Sequence, residues 1–125
     1  MSSEYQAGAC NIGGIERDRR RRMGYAVLVV TVLYVGAVLW LGLPETYLLG
    51  TFVFLYGGVL GLLQARTRFC AAYGLTGRYG FDEGEGTVDD ADARLQDRMR
   101  ALRLVAKASA IALVGTAAVY GLAVL

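Results

Sequence analysis

Three long apolar blocks constrain this chain more than any other feature of its sequence. They cover residues 23–43, 47–65 and 104–125, which are 21, 19 and 22 residues long, and their only charge is Lys107. A helix rising ~1.5 Å per residue needs roughly 20 apolar residues to cross a ~30 Å hydrocarbon core. Helices satisfy their own backbone hydrogen bonds in lipid. The sequence therefore predicts an all-α membrane protein with three transmembrane helices.

Basic residues follow a pattern that predicts the topology. All thirteen lie before the first block, between the second and third blocks, or at the start of the third: Arg17, Arg19, Arg20, Arg21, Arg22, Arg66, Arg68, Arg78, Arg94, Arg98, Arg100, Arg103 and Lys107. Three crossings place all of them on one side of the bilayer. Because cytoplasmic segments carry an excess of Lys and Arg, that side is predicted to be cytoplasmic. We expect a multi-pass protein of the cell (plasma or inner) membrane, with its N-terminus inside and its C-terminus outside.

The polar and apolar segments divide the chain into three parts. These are a basic N-terminal segment (1–22), a two-helix membrane hairpin with an interfacial close (23–81), and an acidic loop, amphipathic cytoplasmic helix and third span (82–125). Pro44 lacks a backbone N–H and restricts the residue before it, so the first span should end near Leu43 in a tight turn. Residues 15–22 are expected to form a short helix on the membrane surface.

The stretch between the second and third spans has weaker signals. We expect residues 66–81 to run along the interface as turns, and the acidic, glycine-rich residues 82–86 to form a solvated loop. Thr87 and Asp90 resemble the two ends of a capping box. Apolar residues then recur at helical spacing, at Leu95, Met99, Leu102 and Ala106. This periodicity predicts one long helix from about residue 88 to the C-terminus, with its first third in the cytoplasm.

The arginine run at the first span favours a lipid partner. Arg17 and the run Arg19, Arg20, Arg21 and Arg22 are predicted to anchor the topology and to contact anionic lipid headgroups. A nucleic-acid site would need a recognition motif or interleaved aromatic residues, and the net charge is only +2. No nucleic-acid partner is therefore expected.

Small residues in the spans indicate close helix packing. Gly57 and Gly61 form a G-x-x-x-G pattern, and the third span carries Ala108, Ala112 and Gly115. Small residues let helices approach closely in lipid. Packing within one chain and packing in a homodimer are both compatible with this pattern. No ionisable residue lies at mid-membrane depth, which argues against a proton relay or an ion-coupled pump.

Two cysteines, Cys10 and Cys70, are the candidate reactive groups. The chain has no His, so two thiols alone predict no metal site, and we expect no cofactor and no enzymatic activity. Cys70 is close in sequence to Arg66 and Arg68, and cationic neighbours favour a reactive thiolate. A free cysteine can equally be a small buried hydrophobe. A structural role, a reactive role, and a disulfide or relay with Cys10 all remain open.

Two short stretches resemble the membrane domain of YgaP-like inner membrane proteins. The residues that carry the resemblance are Asn11, Gly13, Arg17, Arg20 and Gly24 in the first stretch, and Cys70, Tyr73 and Gly77 in the second. The resemblance covers about residues 10–80. It implies a two-span hairpin that tends to self-associate and that in some relatives is fused to a rhodanese sulfurtransferase domain. Residues 1–125 depart from this pattern in two ways: we expect no rhodanese domain among them, and a long helix is predicted after Gly77.

These observations support three functional hypotheses. The first is a non-enzymatic membrane module that self-associates or docks on a partner protein. The second is sulfur or thiol handling at the cytoplasmic face through Cys70 with Cys10, which would require a partner such as a sulfurtransferase. The third is an oligomeric pore for a neutral or sulfur-containing solute.

Overall fold

Three helices of the computed structural model, which describes residues 5–82 and 84–125, are long and apolar enough to cross a membrane. They are Gly14–Trp40, Glu45–Thr67 and Ala91–Val124. Most of the surface of their apolar windows is not buried within the chain. This arrangement confirms the prediction of an all-α, multi-pass membrane protein.

Helix α1 (Gly14–Trp40) is longer than the first apolar block. We expected residues 15–22 to form a separate surface helix, and that prediction is wrong because they are the first turns of α1. No proline interrupts the segment, and Gly24 is buried against α2 rather than exposed at a kink. The N-cap Gly13 offers no side chain, so the carboxylate of Asp82 accepts a hydrogen bond from the Ile15 N–H at 3.0 Å.

The second helix returns against the first. A short turn, in which Gly42 has a φ of +67°, leads to a 3₁₀ helix (Glu45–Gly50) and then to α2 (Thr51–Thr67). Helix α2 packs against α1 on one side and against the last helix on the other. The backbones of α1 and α2 approach most closely near Gly24 and Gly61. The predicted tight hairpin is therefore present, with α2 at the centre.

The segment after α2 is more ordered than the sequence indicated. Where we expected turns and a solvated loop, the chain forms a short helix α3 (Ala71–Thr76) and a hairpin of β1 (Arg78–Phe81) and β2 (Gly84–Thr87). The two strands are antiparallel, with Arg78 opposite Thr87. Residues 11–13 add to the hairpin, because the Gly80 N–H donates to the Asn11 carbonyl at 2.8 Å and the Gly13 N–H donates to the Gly80 carbonyl at 2.9 Å.

The last helix, α4 (Ala91–Val124), begins three residues later than predicted. Its N-cap is Asp90, whose side chain accepts a hydrogen bond from the Ala93 N–H at 3.2 Å. The predicted capping box starting at Thr87 is wrong, because Thr87 is paired in β2. Helix α4 is otherwise continuous to Val124, as the absence of proline and the helical periodicity predicted.

The end of the molecule that carries the arginines is a small folded unit on top of the helices. We call it the cap and define it as residues 5–13, 68–82 and 84–101. Its core is formed by Phe69, Ala71 and Ala101 together with Leu104, all less than 5% exposed. The cap therefore joins the chain's N-terminal segment, the hairpin and the start of α4.

Candidate functional site

The side chain of Asn11 fixes the backbone of Cys70. Asn11 is fully buried; its Oδ1 accepts a hydrogen bond from the Cys70 N–H at 2.7 Å, and its Nδ2 donates to the Cys70 carbonyl at 3.1 Å. The main chain arrives in this position because Arg68 ends α2 in the left-handed conformation (φ 58°), and its carbonyl accepts the Asn11 N–H at 3.1 Å. Two residues 59 positions apart thus form the centre of the cap.

The thiol of Cys70 contacts a guanidinium group. Arg20 Nη2 lies 3.1 Å from Cys70 Sγ, and Arg20 Nη1 lies 2.5 Å from a carboxylate oxygen of Glu16. The cation also lies 5.8 Å from the centroid of the Tyr73 ring. We expected Arg66 and Arg68 to be the cationic neighbours of Cys70. The guanidinium group in contact with its sulfur is that of Arg20, because the continuous helix α1 brings Arg20 beside the end of α2.

Tyr73 links this cluster to the hairpin. Its hydroxyl donates to the Glu85 carboxylate at 2.5 Å, and Arg78 lies 5.7 Å from its ring centroid. The hydrogen bond to Glu85, together with burial, raises the pKa of Tyr73. Gly80 lies directly against the ring, where a Cβ would come within 2.7 Å of it. The ring is therefore held by two cations and one carboxylate.

A buried carboxylate, Asp97, fastens the N-terminal segment to α4. Asp97 is fully buried and accepts hydrogen bonds from the Tyr5 hydroxyl at 2.6 Å and from the Gly8 N–H at 2.7 Å. Burial and the hydrogen bond to Asp97 raise the pKa of Tyr5. Sequence reasoning missed this residue. Ala93 and Ala101 lie one helical turn before and after Asp97. These small residues were the sequence signal that this face of α4 is buried.

Cys10 has a different environment from Cys70. It is half-buried, its Sγ lies 3.7 Å from the Ile12 carbonyl oxygen, and it lines a cavity of about 340 Å³ together with Arg17 and Arg68. Both cysteines are free thiols. The sulfur of Cys10 therefore contacts a backbone carbonyl, whereas the sulfur of Cys70 contacts Arg20.

The remaining motif residues have packing positions around this centre. Gly13 lies against Asp82 and Phe81, Gly24 against Leu62 and the Gly58 carbonyl, and Gly77 takes a φ of +69° beside Arg94. The side chain of Arg17 donates from Nε to the Ala65 carbonyl at 3.0 Å. Seven of the eight residues that carry the resemblance therefore lie in the cap or at its junction with α1 and α2, and Gly24 lies in the contact between α1 and α2.

The small residues of the spans also have definite places. Gly61 contacts the backbone of α1, while the nearest atom to a Cβ at Gly57 is Val27 Cγ1 at 3.8 Å. Ala108 and Ala112 are fully buried in the chain, and Gly115 faces Leu55. Contacts within one chain thus occupy Gly61, Ala108 and Ala112.

The chemistry that this arrangement could support centres on one thiol. The contact with Arg20 places a cation beside the Cys70 sulfur, whereas burial to 4% exposure restricts access to it. Within residues 5–82 and 84–125, no group of three or more His, Cys, Asp or Glu side chains is placed to hold a metal ion.

The fold and the site together define a three-span membrane protein with a folded polar cap. Comparison of the chain with protein-family models, with curated proteins and with solved structures found no match.

Proposed function

We propose that the protein is a membrane-anchored docking module that binds a partner protein through the part of α4 within the cap. The observation that carries this proposal is an apolar stripe of Leu95, Met99 and Leu102, which are 58%, 47% and 51% exposed. These residues lie on the face of α4 opposite Asp97 and Ala101, which are buried in the cap. Within residues 5–82 and 84–125, the stripe therefore has no partner from the chain.

The length of α4 supports a position outside the lipid for Leu95 and Met99. The helix has 34 residues, so at ~1.5 Å per residue it is about 51 Å long, whereas the hydrocarbon core is ~30 Å thick. If the span begins at Leu104, Leu95 lies about 13 Å and Met99 about 7 Å beyond the hydrocarbon, and Leu102 lies at the interface, about 3 Å from it. Lipid tails would not cover Leu95 and Met99, and a contiguous exposed apolar surface in water is typical of a protein interaction site.

Charge favours an acidic partner helix over a second copy of the chain. Exposed Arg98 and Arg103 flank the stripe, whose spacing of four and three residues is that of a coiled-coil seam. Parallel pairing of two copies would bring Arg98 of one helix towards Arg103 of the other. The stripe should therefore bind an amphipathic helix that carries Asp or Glu at the flanking positions. The resemblance to YgaP-like proteins, and with it self-association, remains a prediction.

The proposed orientation places the cap in the cytoplasm. The support for it is the distribution of the basic residues, all of which lie in or near the cap. The module would then reside in the plasma or inner membrane with its C-terminus outside, and its partner would be cytoplasmic.

A photo-crosslinker at Leu95 in native membranes tests this proposal. We expect one discrete protein adduct, and we expect its yield to fall at least about tenfold in the double variant Met99→Ser, Leu102→Ser. The two side chains are 47% and 51% exposed, so burying the exposed half of each contributes ~0.75 kcal/mol or more, or ~1.5 kcal/mol together. The control Ile15→Ser, Leu75→Ser removes exposed apolar surface elsewhere and should leave the adduct unchanged. An adduct of twice the chain's mass, or lipid adducts alone, would contradict the proposal.

A second candidate function is sulfur transfer at Cys70, favoured by its contact with Arg20. In this reaction the Cys70 thiolate attacks the outer sulfur of a donor protein's persulfide. The donor's S–S bond breaks, the donor leaves as a thiolate, and Cys70 carries the new persulfide. A sulfurtransferase partner would supply the sulfur.

Alkylation of each cysteine in native membranes separates this candidate from a structural thiol. Sulfur transfer requires Cys70 to react at least as fast as half-buried Cys10 and to carry extra sulfur by mass spectrometry. Arg20→Gln should then slow Cys70 about tenfold while leaving Cys10 unchanged. A Cys70 that reacts only after detergent unfolding would exclude the reaction.

A further inference from the structure

A groove between α1 and α2 lies at the level where the helices leave the apolar blocks. It has a volume of about 370 Å³ and is lined by Arg17, Arg21, Tyr25, Leu62, Ala65 and Arg66. Three arginines, contributed by both helices, lie towards its cap end. Tyr25 and Leu62, which belong to the apolar blocks, lie towards its membrane end. The groove thus combines positive charge and apolar surface across one membrane interface.

The positive charge in this groove is poorly compensated. Within the described part of the chain, ion pairs are recorded for Arg19, Arg20, Arg21, Arg22 and Arg78 and none for Arg17 or Arg66. The pair of Arg21 with Asp18 is long, at 3.8 Å. Arg17 is held in place by its Nε hydrogen bond to the Ala65 carbonyl, which leaves its terminal nitrogens for another acceptor. An anion would satisfy all three cations.

We propose that this groove binds the headgroup phosphate of an anionic phospholipid, with one acyl chain along Tyr25 and Leu62. Arginine forms paired hydrogen bonds with phosphate oxygens, which a single ammonium group cannot reproduce. Basic pockets between helices at the cytoplasmic interface are suited to such headgroups. A free phosphate would use only the arginines, whereas a lipid would use the arginines and the apolar residues. The ligand class follows from this combination and is independent of the docking stripe on α4.

Native mass spectrometry of the purified full chain, with phosphatidylglycerol or phosphatidylcholine added, tests the proposal. We expect phosphatidylglycerol to be retained, and the double variant Arg21→Gln, Arg66→Gln to bind it at least about tenfold more weakly. The matched control is Arg19→Gln, Arg22→Gln. It removes the same charge from exposed positions of the same helical run, outside the groove. It should retain most of the phosphatidylglycerol, because exposed arginines such as these add general attraction to anionic headgroups but do not form the groove.

Each other outcome overturns the proposal. Equal losses in the two variants would mean that phosphatidylglycerol responds to overall charge and not to the groove. Undiminished binding in the groove variant would place the lipid elsewhere. Displacement of the lipid by excess inorganic phosphate would make the groove a site for a free anion. A circular dichroism spectrum and thermal midpoint equal to those of the wild type establish that the groove variant is folded. If it is not folded, Arg66→Lys replaces it as the test. This variant keeps the positive charge but loses the paired N–H donors of the guanidinium group, and it should still weaken binding of phosphatidylglycerol.

Discussion

Replacing Asn11 with alanine is expected to lower the free energy of opening of the cap by about 2–6 kcal/mol. The amide side chain is fully buried and satisfies both the N–H and the carbonyl of Cys70. Removing it leaves two buried backbone groups without partners, at ~1–3 kcal/mol each. Hydrogen exchange read by mass spectrometry on peptides covering residues 68–77 measures this local opening, which a global melting curve of the spans could miss.

Gln64→Ala provides a graded control for this experiment. The Oε1 of Gln64 accepts a single hydrogen bond, from the Ala71 N–H at 2.9 Å, one residue after Cys70. Its loss should cost about half as much, ~1–3 kcal/mol, because only one backbone group is orphaned. Equal protection in Asn11→Ala and the wild type would show that the Asn11 contacts do not hold the cap closed.

The membrane-spanning part of the fold follows from local sequence. Apolar blocks of 19 to 22 residues, with Lys107 as their only charge, leave a chain few alternatives to spanning helices, and Pro44 marks the turn between the first two. The length of α1 was underestimated because the hydropathy pattern ends at Met23, where the arginines begin. Helix hydrogen bonding does not end there, and Glu16 and Asp18 pair with arginines three and four residues later.

The cap could not be predicted in the same way because its contacts join distant segments. Strand β2 contains Gly84, Glu85 and Gly86, residue types that disfavour strands, so local preference gives no signal. Its pairing depends on Gly80, which is fixed by residues 11–13, and on the bond from Tyr73 to Glu85. In the sequence, Asp97 is typical of a solvated position on an amphipathic helix. In the structure it is buried, because Tyr5 and Gly8, about 90 residues away, donate hydrogen bonds to its carboxylate.

The candidate site was only partly visible in the sequence. Asn11, Arg20, Cys70 and Tyr73 were singled out by resemblance, but nothing in their spacing showed that they touch. The cationic neighbours of Cys70 were sought within four residues along the chain. The contact with Arg20 arises because α1 and α2 are antiparallel, which brings the start of one helix beside the end of the other.

Gly61→Leu is expected to destabilise the α1–α2 hairpin by about 2–3 kcal/mol, the cost of overpacking where the obstruction is backbone. A Cβ at this position would lie 3.2 Å from both the Arg20 carbonyl oxygen and the Gly24 Cα, so the helices would have to separate. Gly57→Leu is the matched control, because the nearest atom there is Val27 Cγ1 at 3.8 Å, and it should change stability by no more than about 0.5 kcal/mol. Thermal unfolding of both variants in one detergent gives the comparison. A G-x-x-x-G contact between two chains would use both glycines. If Gly57→Leu and Gly61→Leu lowered the stability by similar amounts and also abolished a dimer, the pattern would serve association between chains. The close approach of α1 and α2 would then be secondary.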